Sequence, residues 1–219
     1  MSRQKMDEYL NKMLEQYPVL QDERTSILDA YLTLEKCYRN GGKLLVAGNG
    51  GSCCDAQHIV AELMKGFKLP RSLQNEKKRR LMREDERRGG LLAMKLQGAL
   101  PAISLDGHTA LNTAFANDVD PCLCYAQQVN AYGQPGDVFL GITTSGKSEN
   151  ILYAAVAARA ADMKVIGLTG ADGGLMKGLA DVLVRVPRCE TDQIQELHLP
   201  ICHCMCRMLE ETFFSGERI

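Results

Sequence analysis

The chain has no apolar run near the roughly eighteen residues that a membrane-spanning helix requires, so no such span is expected. It also has no charge imbalance. Its 26 Lys and Arg against 27 Asp and Glu leave a net charge of −1, which gives no global pull toward nucleic acid or an anionic membrane. Neither kind of partner is expected. The opening MSRQKMDEYLNKML is charged and has no signal-peptide apolar core, which points to a cytoplasmic location. No internal repeat of about 20 to 50 residues is visible, which argues against a solenoid. Cysteine is not scarce, but nine is an odd number and the chain is no small secreted scaffold, so reduced thiols are expected. With 219 residues, 45% hydrophobic and 24% charged, it reads as one ordinary globular domain, or one domain with an appendage.

Apolar residues recur at helical spacing through residues 6–40, with Pro18 between two stretches, and NGG at 40–42 is a helix stop. KLLVAG, LPAISLD, DVFLGI, KVIGLTG and DVLVRVP then read as short strands. CDAQHIVAELMKGF, HTALNTAFAND, SENILYAAVAARAADM and a last run from about Asp192 to Phe214 read as helices. Strands alternating with helices argue for a parallel sheet covered on both faces. Residues 68–90 stand apart, with nine Lys or Arg and four Asp or Glu. No aromatics interleave these charges, so a solvated helix or flexible excursion is preferred to a nucleic-acid patch.

Ligands of open α/β sheets sit beyond the carboxyl ends of the strands, where this chain carries two candidate loops. The first, GNGGS at 48–52, is alone no more than a tight turn. The second, GITTSGKS at 141–148, fits the P-loop pattern and has a strand before it and a helix after it. A P-loop enzyme also needs an acidic strand end for magnesium, and only Asp106 could be forced into that place. Four hydroxyls, on Thr143, Thr144, Ser145 and Ser148, instead suit a phosphate monoester held by hydroxyls and backbone N–H groups. Helix capping by Ser148 is the plainer alternative.

Only four histidines occur. His58 and Glu62 stand at i and i+4 of one helix, a spacing that suits a metal or an acid–base pair as well as a plain surface contact. Gln195, His198 and His203 lie on a helix that is otherwise apolar and needs partners for them. Cys202, Cys204 and Cys206 splay around that helix, so inert buried thiols are preferred to a zinc cluster.

Taken together, AGNGGSCCDAQHIVAEL, FAND, GITTSGKSENI, GLTGADGGLMKGLADVLVRVP and IQELHLPICH resemble, in order, the motifs of the phosphoheptose isomerases in the sugar isomerase (SIS) superfamily. The resemblance covers most of residues 25–215 outside the charged excursion. It implies an α/β fold, a three-layer α-β-α sandwich with a parallel, flavodoxin-like sheet. It also implies a helical oligomerisation segment at 1–40 and an SIS domain at 41–219, with the charged insertion at about 68–90. The implied enzyme is a zinc-dependent aldose–ketose isomerase of sedoheptulose 7-phosphate, working through an enediol in a homotetramer whose active sites lie at subunit interfaces.

By the same resemblance, Zn2+ ligands fall on His58, Glu62, Gln195 and His203, and the catalytic pair is Glu62 and His203. Substrate contacts fall on Asn49, Gly50, Gly51, His58, Glu62, Asn117, Asp118, Thr143, Thr144, Ser145, Ser148 and Gln195. The family usually carries asparagine where this chain has Lys147. Gln195 and His203 are eight residues apart, about 12 Å on an unbroken helix, too far for one metal. Either Pro200 distorts the helix, a neighbouring subunit supplies one ligand, or His198 replaces one of them; a shared site is favoured. The alternatives are an isomerase of another sugar phosphate, a non-catalytic SIS regulator of the kind that associates with a replication initiator, and, more remotely, a P-loop NTPase.

Overall fold

A computed structural model describes residues 3–217. The sequence-derived segments 1–40 and 41–219 begin and end on residues outside that span. Two helices lead, α1 (Arg3–Gln16) and α2 (Arg24–Arg39), followed by β1 (Leu44–Gly48) and α3 (Gly51–Met64). Next come α4 (Asn75–Glu84), α5 (Glu86–Lys95), β2 (Ala102–Ser104), α6 (Thr109–Asp118) and α7 (Cys124–Tyr132). The chain closes with β3 (Val138–Ile142), α8 (Glu149–Ala160), β4 (Lys164–Thr169), β5 (Val182–Arg185) and α9 (Thr191–Phe214). Among the described residues, no helix is long and apolar enough to cross a membrane.

The five strands form one parallel sheet in the order β2-β1-β3-β4-β5. Every residue of β1 and β3 is buried, as a sheet covered on both faces requires. Alternate side chains serve opposite faces. Leu44, Val46, Val138 and Leu140 join a core with α1, α2, α3 and α9, while Leu45, Ala47, Phe139 and Val165 join a second core with α7 and α8. The result is the expected three-layer α-β-α sandwich.

Two regions gain detail that the sequence alone did not give. The apolar stripes of α1 and α2 find their partners within the chain. Leu10, Leu14, Ile27 and Tyr31 are 4% exposed or less and share the core of α9 and the sheet. The charged excursion is an ordered hairpin of α4 and α5 that runs past residue 90 to Lys95. Asp85 begins α5 by accepting the Arg88 N–H at 2.6 Å. A Ser72–Gln97 bridge and a bond from the Gly98 N–H to the Arg71 carbonyl (2.7 Å) close its base.

Candidate active site

In this strand order the chain's direction across the sheet reverses between β1 and β3, which opens a crevice at their carboxyl ends. Both phosphate-type loops lie there. Asn49 on the first and Asn150 behind the second exchange side-chain hydrogen bonds of 2.9 and 2.8 Å, tying the two sides together. Gly50 starts α3 at φ +55°, a conformation that favours glycine, and no side chain caps that helix.

At the second loop the plain capping alternative finds no support. Ser148 sits at the N-cap of α8 but its side chain caps nothing. Its hydroxyl faces that of Thr143 at 3.0 Å. Thr143 is 3% exposed, Thr144 is half-buried and Ser145 is exposed. Gly146, at φ +65°, packs so closely on Gly173 that a Cβ would lie 2.2 Å from its carbonyl oxygen. The sequence therefore presents hydroxyls and uncapped N–H groups at one helix start, an arrangement suited to an anion. Asp106 does not serve this loop as a magnesium strand end. It lies beyond β1, where its carboxylate accepts hydrogen bonds from Gln57 and Ser104.

Helices α3 and α9 run parallel: Gln195 packs on Gly51, and His203 stands beside His58 and Glu62. Glu62 Oε1 is 2.9 Å from His58 Nε2 and 3.4 Å from His203 Nε2, and the two imidazole nitrogens are 3.1 Å apart. The three donor atoms lie within 4.8 Å of one another. Glu62 is 5% exposed, and its Oε2 is buried without a hydrogen-bond partner. Burial holds the His203 imidazole below its ordinary value, with His58 adding to the effect and Glu62 opposing it. Two imidazoles and one carboxylate are donor types that could hold a metal ion, and Oε2 of Glu62 has no protein hydrogen-bond partner at bonding distance.

Gln195 takes no place in this cluster, because its amide lies against Gly51, two helical turns away. Helix α9 is continuous through Pro200. His198 is fully buried and turned elsewhere, with Nε2 donating to the Thr169 carbonyl at 3.3 Å. Burial lowers its pKa to about 4. Cys202, Cys204 and Cys206 are all buried, and burial raises each thiol, Cys204 to about 12. Asn117 and Asp118 are exposed at the end of α6, where the Asn117 amide donates to Asp118 at 2.9 Å.

Sequence reasoning missed three groups. Asn150 sits in the first turn of α8, where the pattern gives no reason to notice it. Asp106 drew attention only as a magnesium ligand. Arg71, 2% exposed, was lost among the charges of the excursion. Its guanidinium donates to the Glu62 and Leu63 carbonyls at 2.8 and 2.7 Å and pairs with Glu210 at 2.8 Å. It closes the end of the helix that carries Glu62.

The sheet order and the hydroxyl loop agree with a protein of the SIS class, and an SIS domain family model matches residues 81–170. A phosphoheptose isomerase of Shewanella sp. (strain ANA-3) is 39% identical over 195 residues, covering 88% of this chain and 86% of its own. That of Shewanella piezotolerans is 40% identical over the same shares. The structure of a phosphoheptose isomerase from Neisseria gonorrhoeae is 33% identical, with a TM-score of 0.70 over 92% of this chain and 96% of its own. One from Francisella tularensis is also 33% identical, with a TM-score of 0.71 over 96% and 99%. The chain belongs to the phosphoheptose isomerase family. Membership makes it an enzyme, a sugar-phosphate isomerase of the aldose–ketose kind.

Proposed function

We propose that the chain interconverts sedoheptulose 7-phosphate and D-glycero-D-manno-heptose 7-phosphate through an enediol. The observation that carries this reading is the convergence of His58, Glu62 and His203 on helices that begin or pass at the crevice of the hydroxyl loop. Thr143, Thr144, Ser145 and Ser148 hold the phosphate with the free N–H groups of α8. Asn49, Gly50, Gly51, Asn117, Asp118 and Gln195 take the sugar hydroxyls. From Gly51 to His58 is about 10 Å along α3, which suits a long sugar phosphate better than a triose.

The reaction moves a proton between C1 and C2 and needs a base at carbon and a proton partner at oxygen. Glu62 is the base. Its Oε1 is engaged by the imidazoles, and Oε2 is the oxygen left without a partner. His203, held neutral by burial, exchanges the proton at the sugar oxygen. His58, Glu62 and His203, with Gln195 of a second copy, would hold a zinc ion, which would supply Lewis-acid polarisation of the carbonyl and hydroxyl.

The site is shared between subunits of a homotetramer in this reading. An unbroken α9 and a His198 turned away leave a second copy as the source of Gln195. In D2O, sedoheptulose 7-phosphate should yield an aldose carrying deuterium at C2, read by NMR. Absence of aldose with zinc-loaded protein would overturn the proposal.

A further inference from the structure

Lys147 is left over once the hydroxyls have been given their task. Across residues 141–150 it is the only cationic side chain, and its neighbour Glu149 is an anion. The hydroxyls of the loop are neutral and the N–H groups at the start of α8 carry only partial charge, so Lys147 is the one full positive charge on this stretch to set against a phosphate dianion. Lys147 starts inside the loop, where its backbone N–H donates to the Ser145 hydroxyl at 3.1 Å. Its ammonium ends 3.5 Å from Asp172 Oδ2, on the loop after β4. That is longer than the usual 2.7–2.9 Å or so of a charge-assisted bond. Both side chains are well exposed, at 62% and 66%, so the contact is weak.

Asp172 has a second and closer lysine, Lys177, at 3.1 Å on its other oxygen. If Lys147 leaves, Asp172 keeps a cation. The backbones are fixed meanwhile, because Gly146 is packed against Gly173 and its carbonyl accepts the Met176 N–H at 3.1 Å. Only the lysine side chain has to move.

We propose that Lys147 is a specificity residue for the phosphate end of the substrate, exchanging Asp172 for the phosphate dianion when the sugar binds. The proposal rests on the isomerase reading for its substrate, and on the loop geometry for the lysine. Its signature is electrostatic, so it must weaken with added salt.

The test compares full-length wild type with Lys147→Asn and Lys147→Arg, measuring kcat and KM for sedoheptulose 7-phosphate across a series of KCl concentrations. Lys147→Asn should raise KM about tenfold at low salt, with the loss falling on KM rather than kcat, and should flatten the salt dependence of kcat/KM. Lys147→Arg should restore most of both. Asp172→Asn should lower KM by freeing the lysine. A KM for Lys147→Asn within twofold of wild type, with the same salt dependence, would overturn the proposal and leave a surface ion pair. If the wild type turns over no sedoheptulose 7-phosphate, the isomerase reading fails instead. The lysine is then judged by 31P NMR titration with inorganic phosphate, where equal binding by wild type and Lys147→Asn refutes it and weaker binding by the variant supports it.

Discussion

Glu62 joins the two halves of the account, since it is almost fully buried yet flanked by two imidazoles. Glu62→Gln keeps the shape and, on the proposed mechanism, removes the base, so kcat should fall by about 10³-fold with the fold intact by circular dichroism. The pairing of His58 with Glu62 was legible from i,i+4 spacing. The approach of His203 was not, because the packing of α9 along α3 brings it there and no local pattern encodes that. His198 shows the converse: a histidine in the right stretch that the fold turns inward. Its native pKa of about 4 lies below the ordinary value of 6.5, so between these pH values the unfolded chain binds more protons. Its contribution is present in full above pH 6.5 and is lost as pH falls toward 4. Urea melts should show up to about 3 kcal/mol of this loss in wild type and markedly less in His198→Leu.

At the scale of elements, the strands were legible because fully buried parallel strands read as unbroken apolar runs. The helical hairpin was only half legible. Its charges marked a solvated segment, but α5 draws LLAMK from beyond the charged run, and its base is fixed by partners distant in sequence. Arg71 is the pin. It pairs with Glu210, which also accepts the N–H groups of Phe67, Lys68 and Leu69. Arg71→Met would leave the buried Glu210 carboxylate with backbone N–H partners alone and the Glu62 and Leu63 carbonyls without their donor. It should therefore cost about 3–5 kcal/mol in denaturant melts. A loss under about 1 kcal/mol, the level of an exposed pair, would show that Arg71 is not what holds the hairpin base.

For the whole molecule, the three-layer architecture followed from the alternation of strands and helices, whereas the completeness of the site did not. The N-terminal helices fill their apolar stripes within the chain, so any subunit contact they make uses their outer faces. The proposed sharing of the site has a direct consequence. Gln195→Ala and His203→Ala should each be inactive alone, yet co-refolded mixtures should regain activity, because some interfaces then combine an intact Gln195 with an intact His203. A site complete within one chain would regain none. The central claim, that this fold is a heptose phosphate isomerase with Glu62 as its base, is tested most directly by the initial rate of aldose formation from sedoheptulose 7-phosphate. Zinc-loaded wild type should produce the aldose signal in the NMR spectrum, and folded Glu62→Gln should produce about a thousandth as much in the same time. No aldose from the wild type, or equal rates for the two proteins, would contradict it.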